Sequence, residues 1–276
     1  MEAVTETEPK TETATGGEAV FEASGACMTF GRVEALKDLD FTIREGERIA
    51  VIGPSGAGKT TLFRMLAAVI KPTSGQVVAL GKDTRRLRGG ALRKLRSEIG
   101  ILYQNDNLIP HLRVVHNVLM GKLGSWMLPR ALLSLIWPQQ LQSAKDALAE
   151  VELQDKLWSM PGELSGGQQQ RVAIARLMVQ QPRVMLADEP VSQLDIRLGR
   201  EIIELLSGVA RHMNTTLMVN LHTLELLYGH FSRVLAIREG RLFWQGTPRE
   251  ISRELLKDLY GAEYRAMHID DVELEQ

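Results

Sequence analysis

Apolar and polar residues alternate in the first part of the chain, and this pattern predicts β-strands. Between Phe21 and Gly46 the apolar positions that carry the alternation are Leu36, Leu39, Phe41 and Ile43. Such alternation is typical of an antiparallel sheet with one buried face. The more continuous apolar stretch Glu47–Ile52 then predicts a buried strand.

A helix is predicted to begin at Lys59, after a glycine-rich loop. The segment Lys71–Gly75, which contains proline and glycine, is expected to end it. Its apolar residues keep the i, i+3, i+4, i+7 spacing of one helix face, and they are Leu62, Met65, Leu66 and Val69.

The pattern changes to helices between Gln104 and Pro161, without a strong strand signal. One helix face there is formed by Leu141, Ala144, Leu148 and Val151. We therefore expect an inserted α-helical subdomain at about residues 105–163.

Helix and strand alternate after this insertion. A helix is expected through Arg171–Val179, followed by a short, fully buried strand at Val184–Ala187. Further strands are predicted at Leu217–Leu221 and Val234–Ile237. This order predicts an α/β core with a mostly parallel sheet.

Length and composition limit the class of protein. The chain has 276 residues, of which 44% are hydrophobic, and its formal net charge is −1. We expect one main domain over residues 21–265, with tails at 1–20 and 266–276. A near-neutral chain has no overall field to gather nucleic acid, so no nucleic-acid partner is expected. The single cysteine, Cys27, excludes an internal disulfide and a cysteine zinc cluster.

The most apolar stretch is Leu123–Pro138, which Pro129 and Arg130 interrupt. It is too short to cross a bilayer, which takes about 20 apolar residues. Two interpretations stay open for its apolar cluster: the core of the helical subdomain, or an exposed surface that docks a partner. The cluster comprises Trp126, Met127, Leu128, Leu132, Leu133, Leu135, Ile136 and Trp137.

The glycine-rich loop has the spacing of a phosphate-binding loop. In G-x-x-x-x-G-K-[ST], backbone N–H groups point at a polyphosphate, the lysine neutralises charge and the hydroxyl reaches magnesium. We therefore expect a nucleoside triphosphate and Mg²⁺ here. The candidate nucleotide-binding residues are Gly53, Pro54, Ser55, Gly56, Ala57, Gly58, Lys59, Thr60 and Thr61.

A second anion site is predicted at the start of the helix after Leu164. A serine and two glycines open this helix, where free N–H groups and the positive end of the helix dipole favour a phosphate. The candidate residues are Ser165, Gly166, Gly167 and Gln168.

Two adjacent carboxylates end the buried strand Val184–Ala187. Asp188 would lie at the carboxyl edge of the sheet beside the phosphate loop, and it is our candidate for the magnesium shell. Glu189 is the candidate general base that accepts a proton from the attacking water. The alternative interpretation is an acidic pair that caps a helix.

Three further residues are weaker candidates from position alone. Gln104 follows a strand-like segment at Ile99–Tyr103, and its amide could reach both the metal and the attacking water, although a lone glutamine is usually a surface residue. His222 follows a strand and could contact the terminal phosphate, or be structural. Phe30 could stack on adenine, or be an ordinary strand core residue.

A basic run precedes Gln104. We favour a solvated face over nucleic-acid binding, because no aromatic residues are interleaved with the basic ones. The run comprises Arg85, Arg86, Arg88, Arg93, Lys94 and Arg96.

In order and spacing, these motifs resemble those of ABC-type ATPases over roughly Phe21–Gly261. The resemblance rests on the phosphate loop, Gln104, Leu164–Arg171, Val184–Glu189, Ser192–Asp195 and His222. It implies a P-loop NTPase core with an antiparallel β subdomain and an inserted helical subdomain.

The resemblance also implies roles for individual residues. Lys59 would hold the β and γ phosphates of ATP, and Glu189 and His222 would serve hydrolysis. Thr60, Asp188 and Gln104 would bind or sense magnesium. The nucleotide held by a second copy of the chain would be contacted by Ser165, Gly167 and Gln168. Asp195 would lie at the dimer interface.

Within the family, several stretches look like the ATPase subunits of phosphonate importers: Gln104–Leu108, Asn117–Gly124, Val219–His222 and Leu259–Gly261. The insertion with Trp126 and Trp137, and Gln193 where many relatives carry serine or glycine, depart from the family pattern. The resemblance implies membrane permease partners, an indirect link to a solute-binding protein and a peripheral location on the cytoplasmic face of the inner membrane.

Other functions stay open at this point. An ATPase of the same design could serve phosphite, phosphate, amino acids or lipoprotein export. A DNA-repair ATPase would carry coiled-coil heptads or zinc modules, and the sequence has neither. A regulatory nucleotide switch would be expected to lack Glu189 or His222.

Overall fold

The computed structural model describes residues 17–104, 108–124 and 139–267. An antiparallel sheet opens the described chain, as the alternation predicts, and its strand order is β2-β1-β4-β5. The strands are β1 (Ala19–Phe30), β2 (Val33–Arg44), β4 (Ser74–Ala79) and β5 (Lys82–Asp83). Strand β1 begins two residues before the expected domain start at Phe21.

A second sheet of six strands forms the centre of the molecule, in the order β10-β9-β3-β8-β7-β6. All neighbouring strands are parallel except the edge pair of β9 and β10. The predicted mostly parallel sheet is therefore confirmed. Its strands are β3 (Arg48–Ile52), β6 (Ile99–Leu102), β7 (Val184–Asp188), β8 (Thr216–Asn220), β9 (Arg233–Arg238) and β10 (Arg241–Gly246).

Seven α-helices surround these sheets in the part of the chain that the structure describes. They are α1 (Lys59–Leu66), α2 (Gly89–Glu98), α3 (Val114–Leu119), α4 (Leu141–Glu150), α5 (Gly166–Gln180), α6 (Ile196–His212) and α7 (Arg253–Tyr260). Short 3₁₀ helices lie at Met120–Lys122, Gln154–Lys156, Pro161–Glu163, Leu224–Leu226, Pro248–Glu250 and Gly261–Met267.

Both faces of the parallel sheet are covered, which explains why its strands are apolar almost throughout. On β7, Met185 and Ala187 join the core shared with α3, α4 and α5. Val184 and Leu186 join the other core, which includes the antiparallel sheet and α1. The central sheet thus joins the two packed layers into one body around the loop that follows β3.

The inserted helical subdomain contains helices and no strand over the described residues 108–124 and 139–163. Its helix α4 buries Ala144 and Leu148, as the pattern predicts. The Trp126–Trp137 cluster lies outside the described residues, so its two interpretations stay predictions.

The first helix is shorter than expected. It ends at Leu66, whereas we expected it to run as far as Lys71–Gly75. Ala68 adopts a left-handed backbone conformation with φ of 53°, which turns the chain out of the helix. Val69, predicted on the buried face, is therefore 45% exposed.

Candidate functional site

The phosphate loop joins β3 to α1 at the carboxyl edge of the parallel sheet. Gly53 has φ of 146°, and a Cβ atom there would lie 2.0 Å from the Ile237 carbonyl oxygen. Gly58 caps α1 with φ of 103°. Only glycine fits these two positions, so the spacing in the sequence is a requirement of the backbone.

Lys59 is buried at the base of this loop. Its Nζ donates hydrogen bonds to the carbonyl oxygens of Gly53 at 2.6 Å and Pro54 at 2.9 Å. Burial lowers the pKa of Lys59, and the nearby charges of Glu189 and Asp188 oppose that shift. The ammonium group therefore lies where a triphosphate would supply negative charge.

Asp188 ends β7 beside the first turn of α1. The hydroxyl of Thr60 donates to Asp188 Oδ1 at 3.2 Å, and the amide Nδ2 of Asn220 donates to the same oxygen at 2.7 Å. A hydroxyl and a carboxylate are hard oxygen ligands of the kind that Mg²⁺ prefers. Thr60 and Asp188 thus fit the predicted magnesium site.

Glu189 follows Asp188 directly and makes a separate contact. Nε2 of His222 donates to Glu189 Oε1 at 2.6 Å. Glu189 adopts a left-handed backbone conformation with φ of 52°, uncommon for a residue with a side chain. The turn of the chain lets two adjacent carboxylates take different partners, which a helix-capping pair would not need.

A cavity of about 450 Å³ brings these groups together. Its volume lies in the range of small-molecule sites. It is lined by the loop and the start of α1 at Ser55–Thr61, by Glu189 and His222, by Glu239 and Gly240, and by Val33, Glu34, Ala35 and Lys37 of β2. Strand β2 of the antiparallel sheet thus supplies one wall, whereas the sequence had predicted only a contribution of Phe30 from this sheet.

Phe30 is 48% exposed, so its interpretation as a strand core residue is wrong. It is not among the residues that line the cavity, but its cross-strand partner Val33 is. Its adenine contact stays a prediction.

The described hydrogen bond of Gln104 goes to Ser192 and to neither magnesium candidate. Its amide donates to the Ser192 hydroxyl at 3.3 Å, and its side chain is exposed. The structure describes no contact between Gln104 and either Thr60 or Asp188, so its metal role also stays a prediction.

The second predicted anion site lies at the start of α5 and contributes no residue to the cavity. Ser165 caps the helix: its hydroxyl accepts from the N–H of Gln168, whose side chain accepts from the N–H of Ser165. Gly167 packs against Leu198, where a Cβ atom would lie 2.8 Å from that side chain. Ser165 and Gly166 are exposed, as a site for a ligand on another molecule requires.

Asp195 caps the next helix, α6. Its carboxylate accepts from the N–H of Leu198 at 2.9 Å, and the side chain is exposed. This capping bond gives Asp195 a structural role beside its predicted position at a dimer interface.

Sequence reasoning missed two groups near the site. Asn220 was noted only as part of a resemblance, although a polar residue that ends an otherwise apolar strand is itself a signal. Glu263, in the 3₁₀ helix at the end of the described chain, accepts from the Ser55 N–H at 3.3 Å. No feature of the sequence indicates that this distant residue reaches the phosphate loop.

The basic run is exposed, as a solvated face requires, and several of its side chains bind backbone carbonyls. Arg96 donates to the carbonyl oxygen of Ala68, and Arg85 to that of Gly75. Among the described residues, no cluster of three or more His, Cys, Asp and Glu side chains could hold a metal ion. Over the same ranges, every helix is too short or too polar to span a membrane.

Known proteins resemble this chain at the level of sequence. Residues 36–192 match the family model described as ABC transporter. The chain is 46% identical over 231 residues to the phosphonates import ATP-binding protein PhnC of Pseudomonas fluorescens (strain Pf0-1), covering 84% of this chain and 87% of that protein. It is 42% identical over 252 residues to the PhnC protein of Pseudomonas putida (strain KT2440), covering 91% and 94%.

Solved structures resemble it as well. A dimeric, post-hydrolysis structure of the ATP-binding cassette MJ0796 bound to ADP and Pi has a TM-score of 0.68 and 30% identity, covering 82% of this chain and 98% of that one. The structure of cbiO1 from Clostridium perfringens, part of the ABC transporter complex cbiONQ, has a TM-score of 0.73 and 26% identity, covering 92% and 99%.

Proposed function

The chain belongs to the ABC transporter family, as an ATP-hydrolysing subunit, and we propose that it drives the import of phosphonates. The proposed identity of the solute is supported by the similarity to phosphonates import proteins over 84–91% of the chain. The observation that supports hydrolysis is the convergence of the phosphate loop, Glu189 and His222 on one cavity.

ATP binds along the loop, with the β and γ phosphates on its N–H groups and on Lys59. Thr60 and Asp188 would hold Mg²⁺, and the ion would supply positive charge to the phosphates. Glu189 accepts the proton of the attacking water, and His222 fixes the carboxylate through the 2.6 Å hydrogen bond.

Two copies of the chain close around two ATP molecules. Ser165, Gly167 and Gln168 of one copy bind the nucleotide on the loop of the other, which agrees with their absence from the cavity of their own chain. The solved cassette structure described as dimeric supports this arrangement. The helical subdomain transmits the closing of the two copies to permease subunits in the inner membrane. The chain itself stays peripheral on the cytoplasmic face.

Growth on a phosphonate as the sole phosphorus source tests the solute. We expect a strain without the gene to lose this growth and to keep growth on phosphate. A wild-type copy restores growth on phosphonate, and a Lys59→Ala copy, which lacks the loop cation, does not. Normal growth of the deleted strain on phosphonates, with a defect on phosphite or phosphate instead, would contradict the proposed solute and leave the ATPase assignment standing.

A further inference from the structure

Asn220 is a buried polar residue at the end of a strand that is otherwise almost entirely apolar. It is 0% exposed, and it lies directly opposite Asp188 in the parallel register of β7 and β8. The other residues of β8 are Thr216, at the far end, and Leu217, Met218 and Val219. A strand covered on both faces favours an apolar residue at this position.

The amide of Asn220 is only partly satisfied. Its Nδ2 donates to Asp188 Oδ1 at 2.7 Å, while its own Oδ1 is buried and accepts no hydrogen bond from any described residue. A buried oxygen without a partner costs folding free energy. Asn220 therefore lowers the stability of the fold at this position. Its described side-chain contact is the single hydrogen bond to the Asp188 carboxylate.

The two donors to Asp188 come from different sides. Thr60 approaches from α1 and Asn220 from β8, and both bond to Oδ1. Within the described residues, these hydrogen bonds leave Oδ2 without a donor, so that oxygen can face a cation. A carboxylate held at one oxygen keeps a fixed orientation toward its ligand.

We propose that Asn220 is a positioning residue that orients Asp188 for Mg²⁺ bound with ATP. The inference rests on the proposed function, because it assigns a support to the magnesium ligand of that same site. Asn220 acts through Asp188 and touches neither nucleotide nor metal in this assignment.

Binding of Mn²⁺, a paramagnetic stand-in for Mg²⁺, tests this role in the full-length chain. The loss of the free Mn²⁺ electron paramagnetic resonance signal is measured in the presence of a non-hydrolysable ATP analogue. We expect Asn220→Leu, of similar size but without a donor, to weaken Mn²⁺ binding about 10- to 100-fold. Binding of the analogue in EDTA is expected to stay as in the wild type, because the loop does not depend on this bond.

Thr216→Val is the matched control. Thr216 lies on the same strand with 0% exposure, and its hydroxyl accepts from the N–H of Gly46, away from Asp188. We expect this variant to bind Mn²⁺ as the wild type does. Asn220→Val, with a β-branched side chain suited to a strand, gives the same comparison where leucine prevents folding.

Wild-type Mn²⁺ affinity in a folded Asn220→Leu or Asn220→Val variant would overturn the inference and leave the proposed function intact. An equal loss in Thr216→Val would also overturn it, since the effect would then follow any polar loss in β8. Failure of the wild-type chain to bind the analogue at all would overturn the proposed function and, with it, this inference.

Discussion

At the scale of single residues, the site places one buried cation among three carboxylates. Lys59 is 4% exposed and satisfied by two backbone carbonyls, while Asp188, Glu189 and Glu263 all act on its charge. Burial disfavours the charged ammonium, which is why its pKa is lowered. A bound triphosphate would supply the negative charge that this environment only partly provides.

The lowered pKa of Lys59 predicts how stability depends on pH in the absence of nucleotide. Between the lowered pKa and the ordinary value of 10.5, the unfolded chain binds more protons at Lys59 than the folded chain does. The free energy of unfolding contributed by Lys59 therefore rises with pH through that window. At pH values below this window, the free-energy cost of burying the charged ammonium group is fully present.

Urea denaturation of the wild type and Lys59→Met at neutral and alkaline pH measures this contribution. Methionine is similar in length but does not titrate, so the pH dependence of the difference between the two proteins reports the protonation of Lys59. We expect the wild type to gain stability relative to Lys59→Met as pH rises toward 10.5. A difference that stays constant with pH would contradict the shift.

Removal of the Glu189 carboxylate is expected to stop chemistry and to spare binding. Glu189→Gln keeps the size of the side chain but cannot accept the proton of the attacking water, so ATP turnover should fall about 100- to 10,000-fold. Steady-state phosphate release and equilibrium ATP binding measure the two effects separately. Glu225→Gln, at an exposed position just after His222, is the control and should turn over ATP normally.

At the scale of elements, the sequence predicted strands that are buried on both faces and helices with a clear buried face. Strands β3, β7, β8 and β9 and helices α4 and α5 lie where the apolar periodicity indicates. Strand β10 was missed because it is an edge strand whose residues are all exposed or only partly buried. Helix α2 was missed because its interior buries only Leu95, so its sequence shows mainly the basic run.

The candidate catalytic groups were predictable because they lie at or just after the ends of buried strands. Asp188 ends β7, Glu189 comes directly after it, and His222 lies just after β8. Parallel strands bring those ends to one edge of the sheet. The bond from Asn220 to Asp188 depends on the pairing of β7 with β8, and the contact of Glu263 depends on how the chain returns after α7. Neither contact can be predicted from the local pattern of apolar and polar residues.

Helix α5 combines a structural cap with a proposed ligand site, and one substitution separates the two. Aspartate caps helices as well as serine does, whereas alanine costs about 0.5–2 kcal/mol of stability. Ser165→Asp should therefore keep wild-type stability in urea denaturation but lose ATP turnover, because its charge repels the triphosphate on the partner chain.

Ser252→Asp is the matched control, since Ser252 caps α7 through the same bond to the N–H three residues on, at 3.1 Å. It should keep both stability and turnover. Turnover by Ser165→Asp equal to that of Ser252→Asp would contradict a nucleotide contact at α5.

At the scale of the whole molecule, the two proposed halves of a nucleotide site lie apart in one chain, because the start of α5 does not line the cavity. The cavity around Lys59 draws its walls from the loop, the sheet edge and β2, and none from the start of α5. In the proposed dimer, rotation of a second copy brings Ser165 of each chain to the loop of the other, which would close both sites at once. In that arrangement, hydrolysis depends on association of two chains.

The dependence on association can be measured directly. We expect Glu189→Gln with ATP and Mg²⁺ to elute at a mass near twice the 30.8 kDa of one chain, and without ATP near that of one chain. A second substitution in the Glu189→Gln chain separates the two cases. Ser165→Asp should abolish the ATP-dependent dimer, while Ser252→Asp should preserve it. In the wild-type chain, which keeps Glu189, ATP turnover per molecule should rise with protein concentration, because two chains complete each site. Full turnover by a strict monomer, unaffected by Ser165→Asp, would contradict the shared site, since a single chain would then hold every group that the reaction needs.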